Sequence, residues 1–119
     1  MIRVTVPWDP DNASRNRLDG RHWTVKRHAY AKGQETAAWA WIAAGRPRAP
    51  GAVLVTLLIR RAEWMDLDGA LSGCKPVIDG LFRKAITPND SPVWIRSVTV
   101  LQERRAGRSE VEVLVENAA

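Results

Sequence analysis

The sequence predicts a small α+β domain: a mixed sheet of about four strands with two helices, in the order β-α-β-α-β-β. Three observations predict it. Ile2, Val4 and Val6 near one end, and Val111, Val113 and Val115 near the other, alternate with polar residues at the period of a half-buried strand. The run AVLVTLLI at residues 52–59 is apolar on both faces and too short for a buried helix, so it reads as a central strand. Two longer segments place apolar residues at helical spacing. The 119 residues suit a single domain spanning 1–119.

Taken in order, residues 2–6 form the first strand, which Pro7 and Pro10 end, and a polar loop follows to about residue 23. An alanine-rich helix runs from roughly Lys26 to Ala44, with Gly45 and Pro47 as its stop signal. After the central strand, Leu71, Cys74, Ile78, Leu81 and Ala85 make the apolar stripe of a second helix. Asp68, Ser72, Lys75 and Asp79 fall along one face if that helix is continuous. Pro76 argues for a regular helix that starts near it instead, because proline removes a hydrogen bond inside a helix and is welcome at its first position. Residues 93–102 form a strand, and Arg104 to Gly107 a hairpin turn. In the last strand the alternating Glu110, Glu112 and Glu116 suit a protected sheet edge.

Hydrophobic content of 45% and six tryptophans exclude a disordered chain. The lone Cys74 forms no internal disulfide, no apolar run reaches the roughly 18 residues of a membrane span, and no signal peptide opens the chain. These features predict a cytoplasmic protein with no membrane partner. The net charge of +5 favours a polyanionic partner. Residues 15–32 concentrate it, with six cations (Arg15, Arg17, Arg21, Lys26, Arg27, Lys32) against the single acid Asp19.

Against that background the stretch MDLDGALSGCKPVIDG, residues 65–80, stands out, with Asp90 following its helix. Each acid has an ordinary explanation. Asp68 suits an N-cap, Lys75 and Asp79 an i,i+4 surface pair, and Asp90 a turn within Pro88-Asn89-Asp90-Ser91-Pro92. One functional explanation covers them together. Hydrolysing a phosphodiester calls for charge stabilisation on an anionic group and a nucleophile made from water, and Mg²⁺ or Mn²⁺ held by carboxylates supplies both. Asp66, Asp68 and Asp90 are the candidate ligands, and Lys75 a partner for a phosphate oxygen.

The motif resembles that of the RusA family of Holliday junction resolvases. The resemblance rests on Asp66-Leu67-Asp68-Gly69, on Lys75-Pro76-Val77-Ile78-Asp79-Gly80-Leu81, on Asn89-Asp90, and on the proline-rich opening from Val6 to Asn12. It is strongest over residues 60–100. It implies a Mg²⁺- or Mn²⁺-dependent endonuclease of DNA recombination and repair, of phage or prophage type, acting as a homodimer on four-way junctions in a bacterial or phage-infected cell. Asp66, Asp68 and Asp90 are then the catalytic metal ligands, Lys75 the essential lysine, and Asp79 a supporting acid that orders it. The chain departs from the family pattern at Gly69, where asparagine is common, at Asn89, and by three extra residues between Asp68 and Lys75. Those departures favour the second hypothesis, a branched-DNA-binding protein of the same fold with little or no turnover.

Other residues are weighed beside these. Arg60 and Arg61 precede the acids and are candidate phosphate contacts, with Arg104, Arg105 and Arg108 behind them. Trp8 and Trp23 lie in the basic loop and could stack on unpaired bases; Trp39, Trp41, Trp64 and Trp94 suit packing. His22 and His28 lack partners at zinc spacing. Cys74 reads as a small buried hydrophobe.

Overall fold

A computed structural model describes residues 1–118, apart from the side chains of Arg15 and Asn16. Its elements are β1 (Ile2–Val6), a 3-10 turn (Pro10–Ala13), α1 (Arg15–Leu18), α2 (Trp23–Ala43), β2 (Val53–Arg61), α3 (Leu67–Phe82), β3 (Ile95–Arg104) and β4 (Glu110–Asn117). The fold is the α+β arrangement the periodicities predict, a four-stranded mixed sheet with two long helices. The strands lie in the order β1-β4-β2-β3. β4 is antiparallel to both β1 and β2, and β2 is parallel to β3. A parallel pair needs a crossover, and α3 supplies it.

The core lies between one face of the sheet and the helices. Val4 and Val6, Val55, Leu57 and Ile59, and Val111, Val113 and Val115 meet Ala37, Ala70, Cys74, Val77, Leu81 and Phe82 there. The other sheet face is uncovered, so β2 is central in the sheet but apolar Leu54 remains 40% exposed on it.

Four expectations are corrected. β4 is an interior strand rather than an edge, and no hairpin joins it to β3: residues 105–109 pass over the end of β2 and β4 pairs on its far side. The reason is burial, since the inward valines of β4 find apolar neighbours on β1 and β2 at once. The helix α3 begins at Leu67 and runs on through Pro76. The ring of Pro76 is buried against Gly33, where an added Cβ would lie 2.8 Å from Pro76 Cβ, so tertiary packing offsets the lost hydrogen bond. The polar loop before residue 23 is largely a 3-10 turn and a short helix, and α2 begins at Trp23, capped by His22 Nδ1, which accepts from the Thr24 N–H at 3.2 Å.

The contacts of α2 with α3 also orient the molecule. Gly33 meets Pro76, and further along both helices Gln34 and Ala37 meet Gly80. The two helices therefore run in the same direction, and their N-termini share one end of the domain.

Candidate functional site

Asp66 and Asp68 sit where β2 hands over to α3. Gln102 on β3 clamps the residue before them: its Oε1 accepts from the Met65 N–H and its Nε2 donates to the Met65 carbonyl, each at 2.9 Å. Asp66 is the N-cap of α3, its Oδ2 accepting from the Gly69 N–H at 3.3 Å. The capping role expected of Asp68 thus belongs to Asp66, and Asp68 lies exposed in the first helical turn. Gln102 carries no motif and its part was not foreseen; only the parallel pairing of β2 with β3 brings it beside Met65.

Because α3 is continuous, Asp68, Ser72, Lys75 and Asp79 do share a face. Lys75 is exposed two turns beyond Asp68, about 10 Å along the axis. Asp79 is 3% exposed and pairs with Arg83 (Nε to Oδ1, 3.5 Å) rather than with Lys75. Arg83 Nε also lies 3.6 Å from Asp90 Oδ2, so the two acids share one guanidinium. Neither carboxylate oxygen of Asp79 accepts a hydrogen bond among the described residues. Burial pushes the Asp79 carboxyl above the usual carboxylate range; Arg83 opposes the shift and the neighbouring Asp90 adds to it.

This acid has a measurable consequence. With its folded pKa raised, the native state keeps the proton while the unfolded chain releases it. Stability is then fully present below the ordinary Asp pKa of about 3.9 and falls as pH rises toward the folded value. We expect Asp79→Asn to match the parent in thermal melts at the acid end and to exceed it at neutral pH, by about 1 kcal/mol. A variant less stable at neutral pH would show that the pair with Arg83 outweighs burial.

Asp90 lies in the loop after α3, in a turn shaped by Asn89, whose Oδ1 accepts from the Ser91 N–H at 3.0 Å. It therefore stands at the opposite end of α3 from Asp66 and Asp68. From Asp66 to Asp79, beside Asp90, the helix advances about 20 Å. The expected three-carboxylate cage is not assembled by one chain, and among the described residues no group of three or more His, Cys, Asp or Glu is placed to hold a metal ion. The topology is the cause: the crossover between parallel strands must span the full sheet, so its two ends cannot meet.

The cations divide into two sets. Arg60 is half-buried on the outer sheet face, paired with Glu112 (2.9 Å), Glu110 (3.1 Å) and Glu103 (3.5 Å), and Arg61 pairs with Asp9 at 3.2 Å. Arg60 ties β2 to β3 and β4, Arg61 ties β2 to the loop after β1, and both are corrected as phosphate contacts. At the end of β3, Arg104 Nε donates to the Ala62 carbonyl at 3.1 Å, and in the connection to β4 Arg105 pairs with Glu110. Arg17 pairs with Asp11 at 3.2 Å but stays largely exposed, as do Arg21, Lys26, Arg27 and Lys32. Arg15 was expected beside them; its side chain lies outside the described residues.

Trp23, 60% exposed, opens α2 among these cations, with the Arg27 guanidinium 5.9 Å from its ring centre. Trp8 is corrected as a stacking residue: it is 4% exposed and its Nε1 donates to the Gly73 carbonyl at 2.9 Å. Trp41 packs as expected, donating to the Pro47 carbonyl at 2.8 Å, whereas Trp39 and Trp64 remain exposed. Cys74 is fully buried, and burial pushes its thiol up to about 12, which removes it as a nucleophile. No described helix is long and apolar enough to cross a membrane. Comparison with family models, curated proteins and solved structures returned no match.

Proposed function

We propose that the protein is a structure-specific DNA endonuclease that resolves four-way junctions as a homodimer in the presence of Mg²⁺ or Mn²⁺. One observation carries this reading. The exposed Trp23 with Arg21, Lys26 and Arg27, at the start of α2, lies at the same end of the domain as the exposed Asp68 and the Asp66 cap, because α2 and α3 run in one direction. Cations suit the phosphate backbone, and an exposed tryptophan suits a base unstacked at a branch point. An acid pair at the same end as that surface is what handling a water at a phosphodiester calls for, and Lys75 lies on the same helix face as Asp68 to receive a phosphate oxygen.

The test is a synthetic four-way junction, end-labelled on each strand in turn and incubated with and without Mg²⁺ or Mn²⁺ beside linear duplex. Paired, symmetric nicks confined to the junction and to the metal-containing lanes are the expected result. Trp23→Ala should weaken junction binding about tenfold while leaving the melting temperature unchanged, since the ring is mostly in solvent. Unchanged binding removes Trp23 from the DNA surface.

A second reading, a branched-DNA-binding protein without turnover, is favoured by the distance of Asp90 from Asp66 and Asp68 in one chain, and by Gly69 and Asn89. A junction that is bound but uncut in every metal would establish it.

A further inference from the structure

The strand β1 leaves one side of the sheet unpaired, and α2 passes beside that edge. Outside its ladder with β4, the backbone of β1 enters one further backbone hydrogen bond among the described residues, from the Trp8 N–H to the Val6 carbonyl at 2.8 Å. The outward N–H and carbonyl groups along residues 2–5 are therefore open to another backbone. Val4 and Val6 are buried in the core, so Thr5 between them points to the opposite face of the sheet. Yet one open groove of about 360 Å³ is lined by Thr5 and Pro7 together with Thr36, Trp39, Ala40 and Ala43 of α2. A groove that reaches from the helix side to Thr5 runs along the edge of β1. Its two walls match in length, since the five residues of β1 and the α2 face from Lys32 to Ala43 each extend about 17 Å. Trp39 stands 64% exposed there beside the small Ala40 and Ala43.

We propose that this groove binds an extended, acidic segment of a partner protein, which adds a strand to the edge of β1 and seats one bulky apolar side chain against Trp39. The open edge selects an extended backbone, because only a strand presents donors and acceptors at matching spacing. The recess beside Ala40 and Ala43 selects the apolar side chain, and tryptophan is among the residues that most often anchor such a contact. Charge selects the sign. Lys32 stands one turn before Thr36 on the groove face, Arg3 lies on β1, and Arg46 follows the end of α2; all three are exposed. Arg3 also reaches Glu112, at 3.5 Å, and remains largely in solvent. Glu35, the only acid in α2, lies about 100° round the helix from Thr36. An acidic segment therefore meets cations along both walls. Nucleic acid has its surface elsewhere: Trp23 lies about 24 Å back along α2, so a DNA branch at the start of the helix leaves the groove clear. The groove stands whether or not the chain cleaves DNA.

The probe is a phage library displaying random eight-residue peptides, panned on the whole chain. Enriched peptides should converge on several acids flanking one large apolar residue. A fluorescein-labelled synthetic copy of the leading sequence is then titrated by fluorescence anisotropy. Trp39→Ala should weaken it at least about tenfold and Lys32→Glu about fivefold. Both variants should melt as the parent does, because both side chains lie largely in solvent. Two further peptides carry N-methyl groups on one or the other set of alternate peptide bonds. One should lose binding and the other keep it, since only every second N–H of a strand faces its neighbour. A four-way junction at saturating concentration should leave the peptide in place. No enrichment, or leading sequences without acids, overturns the proposal, as does undiminished binding to Trp39→Ala or equal affinity of the two N-methylated peptides. Displacement by the junction would assign the groove to nucleic acid. A parent dimer that Trp39→Ala dissociates in sedimentation would assign it to a second copy of the chain, and either result overturns the proposal.

Discussion

Asp68→Asn should reduce junction cleavage at least about a hundredfold while binding survives or tightens, the scale on which loss of a group acting in the transition state is felt. The structure makes this a clean substitution. Asp66, not Asp68, caps α3, and Asp68 lies in solvent in the first turn, so the amide costs only the favourable placement of an acid near a helix N-terminus, about 0.5 kcal/mol. Removing a negative charge from a surface that approaches phosphates also lowers repulsion, hence the retained or tighter binding. The comparison is single-turnover nicking of a labelled junction against gel-shift affinity, with a thermal melt to verify folding. Cleavage at the parental rate would take Asp68 out of the mechanism, and with it the strongest link between the Asp-x-Asp motif and hydrolysis.

Gly73→Ala should unfold or nearly unfold the domain. A Cβ at Gly73 would lie 2.0 Å from the carbonyl oxygen of Pro10 and 2.6 Å from its carbon, and both atoms are backbone. No side chain can swing aside, so α3 and the Pro10 turn must separate. That separation also withdraws Trp8, buried and anchored to the Gly73 carbonyl, from its place in the core. We expect a loss of about 3 kcal/mol or more, a large part of the 5–15 kcal/mol typical of a small domain. Urea denaturation measures it, with Gly51→Ala as the control, since nothing lies within 4 Å of a Cβ there. Equal midpoints for the two variants would show that the turn rides loosely on the helix.

These two residues mark how far the chain could be read unaided. Asp68 was legible because an acid pair before a helical stripe is a local pattern. Gly73 was not, because its neighbour Pro10 is sixty-three residues away. Trp8 and Trp23 look alike as tryptophans flanking a polar loop. One is sealed against α3 and the other stands in solvent. Arg60 and Arg61 looked available for phosphate until β4 and the β1 exit brought Glu110, Glu112 and Asp9 against them. Pro76 argued for a late helix start on local grounds, and packing against Gly33 overruled it.

Strand and helix identities and the α+β class follow from the sequence by itself, because periods of two and of 3.6 residues reflect neighbours a few positions away, whereas the start of α3 beside Asp66 and Asp68 was decided by packing around Pro76. Strand order does not follow. That β4 inserts between β1 and β2, and that β2 and β3 run parallel, depends on which apolar faces bury one another across the whole chain. The parallel pairing also sets the two ends of α3 about 20 Å apart, which divides the acids that the linear motif brings close.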